Sequence, residues 1–334
     1  MKKILSLVLA FVLLLSVVSL AGCGEKTLSF GVGVYAYRDN LTNALDEDGG
    51  QLDTTITVAG VTLDGEGKIV DCAIDCVEFE AKFSAIGEAL PVGKIKTKLE
   101  KGDAYGMKAY GGSKKEWYEQ VDAFIGLIKG KTAQDVKALV ATDNKGNDEV
   151  INAGCTIIIS DFVKAVEKAI NNAAESNVSK DDILKIGMVA TQTSSENAKE
   201  DTDGEIVIDT SITVAALDKD AKVVAAYTDA IQSGATFDIN GANTGAASEV
   251  MTKRETADSY GMASYGKDLN GDGVVKEWYE QAKAFDDTLV GKNASDIAKL
   301  VTDNGYGDEA LQTAGCTIAV SDMVKAAVKA ATVK

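Results

Sequence analysis

The chain has 334 residues, with 51 acidic and 34 basic side chains and a formal charge of −17. It contains no histidine, which excludes Ser-His-Asp and Cys-His catalysis and His-ligated metal sites. A surface this acidic disfavours nucleic acid as a partner, and the length predicts two domains.

The opening segment reads as a secretory leader. Lys2 and Lys3 precede an apolar run from Ile4 to Leu20 that only serines interrupt. The run is short for a membrane span and small residues follow it, so residues 1–22 are predicted to be a signal peptide. Leu20-Ala21-Gly22-Cys23 resembles the lipobox of bacterial lipoproteins. The resemblance implies that Cys23 is diacylated and becomes the mature N-terminus, anchored at the extracytoplasmic face of the cell membrane. Two buried acyl chains anchor stably where one is marginal. A plain signal peptide or uncleaved anchor with a chance cysteine is the competing reading. Residues 23–28 are expected to be a tether.

The remainder repeats itself. Lys115-Glu116-Trp117-Tyr118-Glu119-Gln120 returns as Lys276-Glu277-Trp278-Tyr279-Glu280-Gln281, and Ala153-Gly154-Cys155-Thr156-Ile157 as Ala314-Gly315-Cys316-Thr317-Ile318. Tyr105-Gly106-Met107 returns as Tyr260-Gly261-Met262, and Asp53 to Ala59 as Asp209 to Ala215. Such a long period is a domain duplication, not a solenoid. The copies are placed at 29–172 and 184–331, with 173–183 as a polar linker.

Within a copy, Phe30 to Tyr37 is glycine-rich without a P-loop or dinucleotide fingerprint. Thr54 to Leu63 alternates as a strand, with Thr54, Ile56 and Val58 on one face. Asp64-Gly65 turns it, and Lys68 to Phe79 returns. Glu116 to Lys129 reads as a helix with Trp117, Val121, Phe124 and Ile128 on one side. Thr132 with Asp135 forms a capping box opening a short helix, and Asn293 with Asp296 keeps that chemistry. Thr156 to Ile159 is predicted to be a short strand, and Ser160 or Asp161 to cap a closing helix. The expected fold is α+β: two tandem homologous domains, each an antiparallel sheet packed with helices.

From Ala153 to Ala169, and again in the second copy, the pattern resembles the FMN-binding domain family. That family includes covalently flavinylated subunits of sodium-pumping quinone reductases and Rnf complexes, and flavin-carrying surface lipoproteins. Its hallmark is a Ser/Thr-Gly-Ala-Thr segment followed by a helix; its threonine takes FMN in phosphoester linkage from a separate flavin transferase. Gly154 and Thr156, and Gly315 and Thr317, match. The early hairpin with Gly67-Lys68-Ile69-Val70-Asp71 is also similar. Ala153 and Ala314 replace the hydroxyl residue, while Cys155 and Cys316 replace the alanine. The resemblance implies an FMN site at Thr156, Thr317, Gly154, Gly315, Cys155 and Cys316, covalent or not.

Each candidate has a plain structural counterpart. Thr156 and Thr317 either carry phosphate beside a glycine or start a buried strand. Cys155 and Cys316 are redox thiols beside a ligand or small buried hydrophobes. Cys72 and Cys76 are roughly 13 Å apart if on one strand, too far to bridge each other, and are read as free. Trp117, Tyr118, Trp278 and Tyr279 stack on a ligand ring or fill the core. The insertion Asp268-Leu269-Asn270-Gly271-Asp272-Gly273 matches half of an EF-hand loop, so Asp268, Asn270 and Asp272 are candidate weak calcium ligands. Its alternative is a solvated turn. No acid–base or nucleophile constellation emerges. The sequence therefore predicts a non-enzymatic flavin-binding or electron-carrying surface lipoprotein, or a binding or structural lipoprotein that keeps the fold without flavin.

Overall fold

The computed structural model describes residues 27–44, 49–265 and 275–332. The signal peptide, Cys23 and the candidate calcium loop at Asp268, Asn270 and Asp272 lie outside them. The molecule is α+β, built from two sheet-bearing copies. In the first, β1 (Leu28–Thr42), β2 (Gly50–Leu63) and β3 (Ile69–Phe83) form an antiparallel meander, and β5 (Ile183–Glu196), β6 (Gly204–Leu217) and β7 (Val223–Phe237) repeat it. The first strand of each meander was not legible as a strand, because glycines obscure its alternation.

Alternation on β2 explains the layers. Ile56 and Val58 point to one face and meet Ile208, Ile212 and Val214 of the other sheet. Ala59, Val61 and Leu63 point the opposite way, towards helices. The two sheets thus pack on each other, with helices outside both. The helices over the first sheet are α1 (Lys98–Lys101), α2 (Trp117–Ile128), α3 (Ala133–Lys137), α4 (Asp148–Ala153) and α5 (Ser160–Asn171). Those of the second copy are α6 (Lys253–Thr256), α7 (Met262–Tyr265), α8 (Trp278–Leu289), α9 (Ala294–Ile297), α10 (Glu309–Thr313) and α11 (Ser321–Ala330).

Glycine sets how closely the closing helix lies on its sheet. A Cβ on Gly33 would fall 2.1 Å from the Ala165 carbonyl oxygen of α5, and one on Gly187 2.0 Å from that of Ala326 in α11. The glycines at the chain start therefore serve helix–sheet packing. They also fix the true equivalence of the copies. Gly33 matches Gly187, Gly50 matches Gly204 and Phe83 matches Phe237, a spacing of 154 throughout the sheet. The Asp53–Ala59 and Asp209–Ala215 likeness is displaced from this by two residues. A two-residue slip keeps every side chain on its face, so the pattern alone does not reveal it.

The copies interlock about a pseudo-twofold axis. Phe83 and Phe237 stack with centroids 4.5 Å apart. Ala44 N donates to Gly241 O and Ala198 N to Gly87 O. Lys168 pairs with Glu255 at 2.7 Å and Lys329 with Glu100 at 2.6 Å, each crossing between copies. Such reciprocal contacts are the mark of an isologous interface. Two pairings break the symmetry. The stretch read as a linker contains β4 (Ala174–Val178), which borders β1, and β8 (Ser248–Glu249) reaches across to Tyr37 and Arg38 of β1.

Thr156 to Ile159 is not a strand. It is a loop between α4 and α5 with a single bridge, Lys145 to Ile158, and Ile159 N and Ser160 N both donate to Asn144 O. Among the described residues no neighbouring strand offers it a ladder. Ser160 does not cap α5: Ile159 holds the cap position and no side chain bonds there. The capping box of Thr132 with Asp135 forms as expected, and Asn293 caps its helix by accepting from Asp296 N without the reciprocal bond.

Candidate functional site

The repeated Lys-Glu-Trp-Tyr-Glu-Gln hexapeptide builds the scaffold. Glu116 is buried at the N-terminus of α2, where its carboxylate accepts from Met107 N at 2.9 Å and Lys108 N at 3.1 Å. Glu277 does the same for Met262 N and Ala263 N. Glu119 and Glu280 reach back to complete capping boxes. Trp117 and Trp278 enter the core, with Lys98 Nζ 5.7 Å from the first ring and Lys253 Nζ 5.7 Å from the second. Tyr118 and Tyr279 point outwards and donate to Asp103 and Asp258.

The last residue of the motif holds the threonine. Gln120 Oε1 accepts from both Thr156 N (2.8 Å) and Thr156 Oγ1 (3.0 Å). Gln281 holds Thr317 in the same way, at 2.8 and 3.1 Å. Gln281 Nε2 is in turn fixed by Lys276 O at 3.0 Å and Met262 Sδ at 3.4 Å. The threonine proton is thus given to a neutral amide oxygen, and the hydroxyl lone pairs are left for a ligand. Nothing in this arrangement is a general base.

Glycine shapes the corner before each threonine. Gly154 has φ +101° and Gly315 φ +102°, a conformation that favours glycine. The first lysine of the hexapeptide lies over this corner: a Cβ on Gly154 would sit 2.2 Å from Lys115 Nζ, and one on Gly315 2.1 Å from Lys276 Nζ. Each corner therefore offers a phosphate one ammonium as a charge-assisted donor, while its backbone N–H groups are engaged internally, Gly315 N with Gln312 O and Cys316 N with Leu311 O. Sequence reasoning missed Gln120, Gln281, Lys115 and Lys276. Their signal was present, since hexapeptide and Gly-Cys-Thr segment recur with the same spacing of 161.

The threonine hydroxyls are not sealed inside: Thr156 is exposed and Thr317 half-buried. The second copy opens a cavity of about 910 Å³ beside Thr317, walled by Trp278, Lys253, Met323, Asp209 and Tyr306. Asp209 Oδ1 is buried there without a hydrogen-bond partner among the described residues. The first copy fills the equivalent place differently. Phe162 stands where Met323 does and meets Trp117 edge-on at 5.9 Å. Tyr37, opposite Thr55 and near Asp161, replaces Thr191; burial and then the Asp161 charge push its phenol up to about 12.

The thiols turn away from both sites. Cys155 and Cys316 are fully buried, and burial pushes them up to about 11 and about 12. Lys115 and Lys276 act against that shift only weakly, so both thiols are neutral packing groups at physiological pH. Cys72 and Cys76 are also free and buried. Among the described residues no set of three or more His, Cys, Asp or Glu is arranged to hold a metal.

Two buried aspartates repeat as structural anchors. Asp75 accepts from Cys76 N and Leu99 N, Asp229 from Ala230 N and Arg254 N, and burial pushes them up to about 7 and about 6. The second copy adds a buried Arg254–Asp286 ion pair at 2.6 Å, with the guanidinium 4.3 Å from the Tyr227 ring.

The chain is 37% identical over 126 residues to chlorophenol reductase from Desulfitobacterium hafniense. The match spans 34% of this chain and 37% of that protein. No family model and no solved structure matches the chain.

Proposed function

We propose that the protein is a lipid-anchored extracytoplasmic redox module that holds FMN at the Thr317 corner of its second copy. One observation carries this reading: Thr317, whose hydroxyl is fixed by Gln281, lines a cavity of about 910 Å³. That volume falls in the range of cofactor sites. Lys276 would hold the phosphate, Trp278 and Met323 would contact the apolar ring, and Asp209 would accept from a ring N–H. Bound FMN would supply the electron chemistry. The partial likeness to a protein named as a reductase agrees with a redox role. A flavin transferase and a membrane redox partner are the implied associates, and Cys23 the implied lipid site.

The first copy favours the second reading, a fold kept without flavin. Phe162 and Tyr37 occupy the room that Met323 and Thr191 leave open. The test is in-gel flavin fluorescence after denaturation, with a flavin transferase co-expressed. Wild type and Thr156→Ala should fluoresce equally, and Thr317→Ala should be dark. Fluorescence retained in Thr317→Ala overturns the assignment. A wild type that is dark in the gel but yellow in its native state places the FMN non-covalently.

A further inference from the structure

Beside the second copy's cavity runs a groove of about 1240 Å³, and Asn304 and Ser321 line both. Val189 and Thr191 of β5 form its floor, Val324 and Lys325 of α11 one wall, and Val92 and Ile95 from the first copy the other.

The first copy shows what this space takes when the chain fills it from within. Gly33-Val34-Tyr35-Ala36-Tyr37 corresponds to Gly187-Met188-Val189-Ala190-Thr191, a register fixed by the two glycines against their helices. Tyr35 therefore stands where Val189 does. Lys164 Nζ lies 4.0 Å from the Tyr35 ring centroid and donates to its hydroxyl at 2.8 Å. Tyr37 packs beside it, centroids 5.7 Å apart, and β8 closes the strand edge over them. In the second copy both rings are gone and, among the described residues, no strand of the first copy pairs with β5. The lysine is kept: Lys325 occupies Lys164's place.

We propose that this groove binds a small planar aryl ring bearing an oxygen, a phenol-type ligand, with Lys325 on that oxygen. Lys325 rests on Asp322 at 2.7 Å and is 63% exposed, so it is free to turn inwards. Lys164 shows that posture, lying 3.9 Å from Asp161 while bonded to Tyr35. The apolar residues on floor and walls receive the ring, and the ammonium adds a hydrogen bond and a cation–π contact. The site does not depend on flavin at Thr317, although the two spaces are neighbours.

The probe is p-cresol, the side chain of Tyr35 itself, with toluene as its oxygen-free control. Saturation-transfer NMR and calorimetry on the full chain, with and without flavin, report binding. Wild type should bind p-cresol in the millimolar range or tighter and prefer it to toluene. Val189→Tyr, which installs the first copy's residue, should weaken p-cresol about tenfold or more. Lys325→Met, at an exposed position, should remove the preference for p-cresol over toluene, since only p-cresol loses a hydrogen bond. Absence of p-cresol binding to wild type overturns the proposal. So does an unchanged preference in Lys325→Met, whatever the fold of the tyrosine variant.

Discussion

Replacing Arg254 with leucine tests how the second copy tolerates a charge in its helix layer. The Arg254 and Asp286 side chains are 14% and 5% exposed, and their ion pair is 2.6 Å long. Arg254 Nε also donates to Thr228 O at 2.7 Å. The first copy places Leu99 and Ile125 at the two positions. Removing one partner of a buried pair leaves an uncompensated charge and costs about 3–5 kcal/mol, whereas apolar replacement of both is often neutral or stabilising. Arg254→Leu should therefore lose about 3 kcal/mol or more at pH 8, and Arg254→Leu with Asp286→Ile should recover most of it. Burial already pushes Asp286 up to about 7. Its folded state favours the proton, so its contribution to stability is fullest below about pH 4 and falls as pH rises towards 7. The single variant's penalty should accordingly shrink at pH 5, where Asp286 is protonated. Urea denaturation of the three proteins at both pH values measures this. A single variant within about 1 kcal/mol of wild type at pH 8, or a double variant no better than the single, refutes the reasoning.

Gly187→Ala drives a methyl into the Ala326 carbonyl and should cost about 1–3 kcal/mol by overpacking, read as a lower urea midpoint. The same loss is expected for Gly33→Ala against Ala165. Gln281→Leu removes the acceptor of two hydrogen bonds to Thr317 and should cost about 1–3 kcal/mol, with loss of any flavin bound there. Cys72, Cys76, Cys155 and Cys316 should resist a maleimide in the native protein at pH 8 and react in urea; prompt native labelling of any of them contradicts the burial argument.

The duplication, the hairpins and the helices at Trp117 and Trp278 were legible because their periodicity and caps are local. What joins the copies was not. The stacking of Phe83 on Phe237 and the crossing ion pairs Lys168–Glu255 and Lys329–Glu100 are long-range, and no spacing announces them. The slip of two between the matched strand segments was hidden by the period of β structure itself. At the site, Thr156 and Thr317 were found as candidates, but the expected strand before α5 was wrong. The run is β-branched, yet among the described residues no partner strand lies beside it. The difference between copies rests on Tyr35, Tyr37 and Phe162, whose consequence depends on which face each occupies.

The central claim is that one corner of this twofold molecule, at Thr317, takes a flavin. Intact-mass measurement of protein from its own host, with peptide mapping, tests it most directly. One FMN per chain on the peptide containing Thr317, or one released non-covalently with none at Thr156, is the predicted result. An unmodified, colourless chain, or FMN found on Thr156 alone, contradicts it.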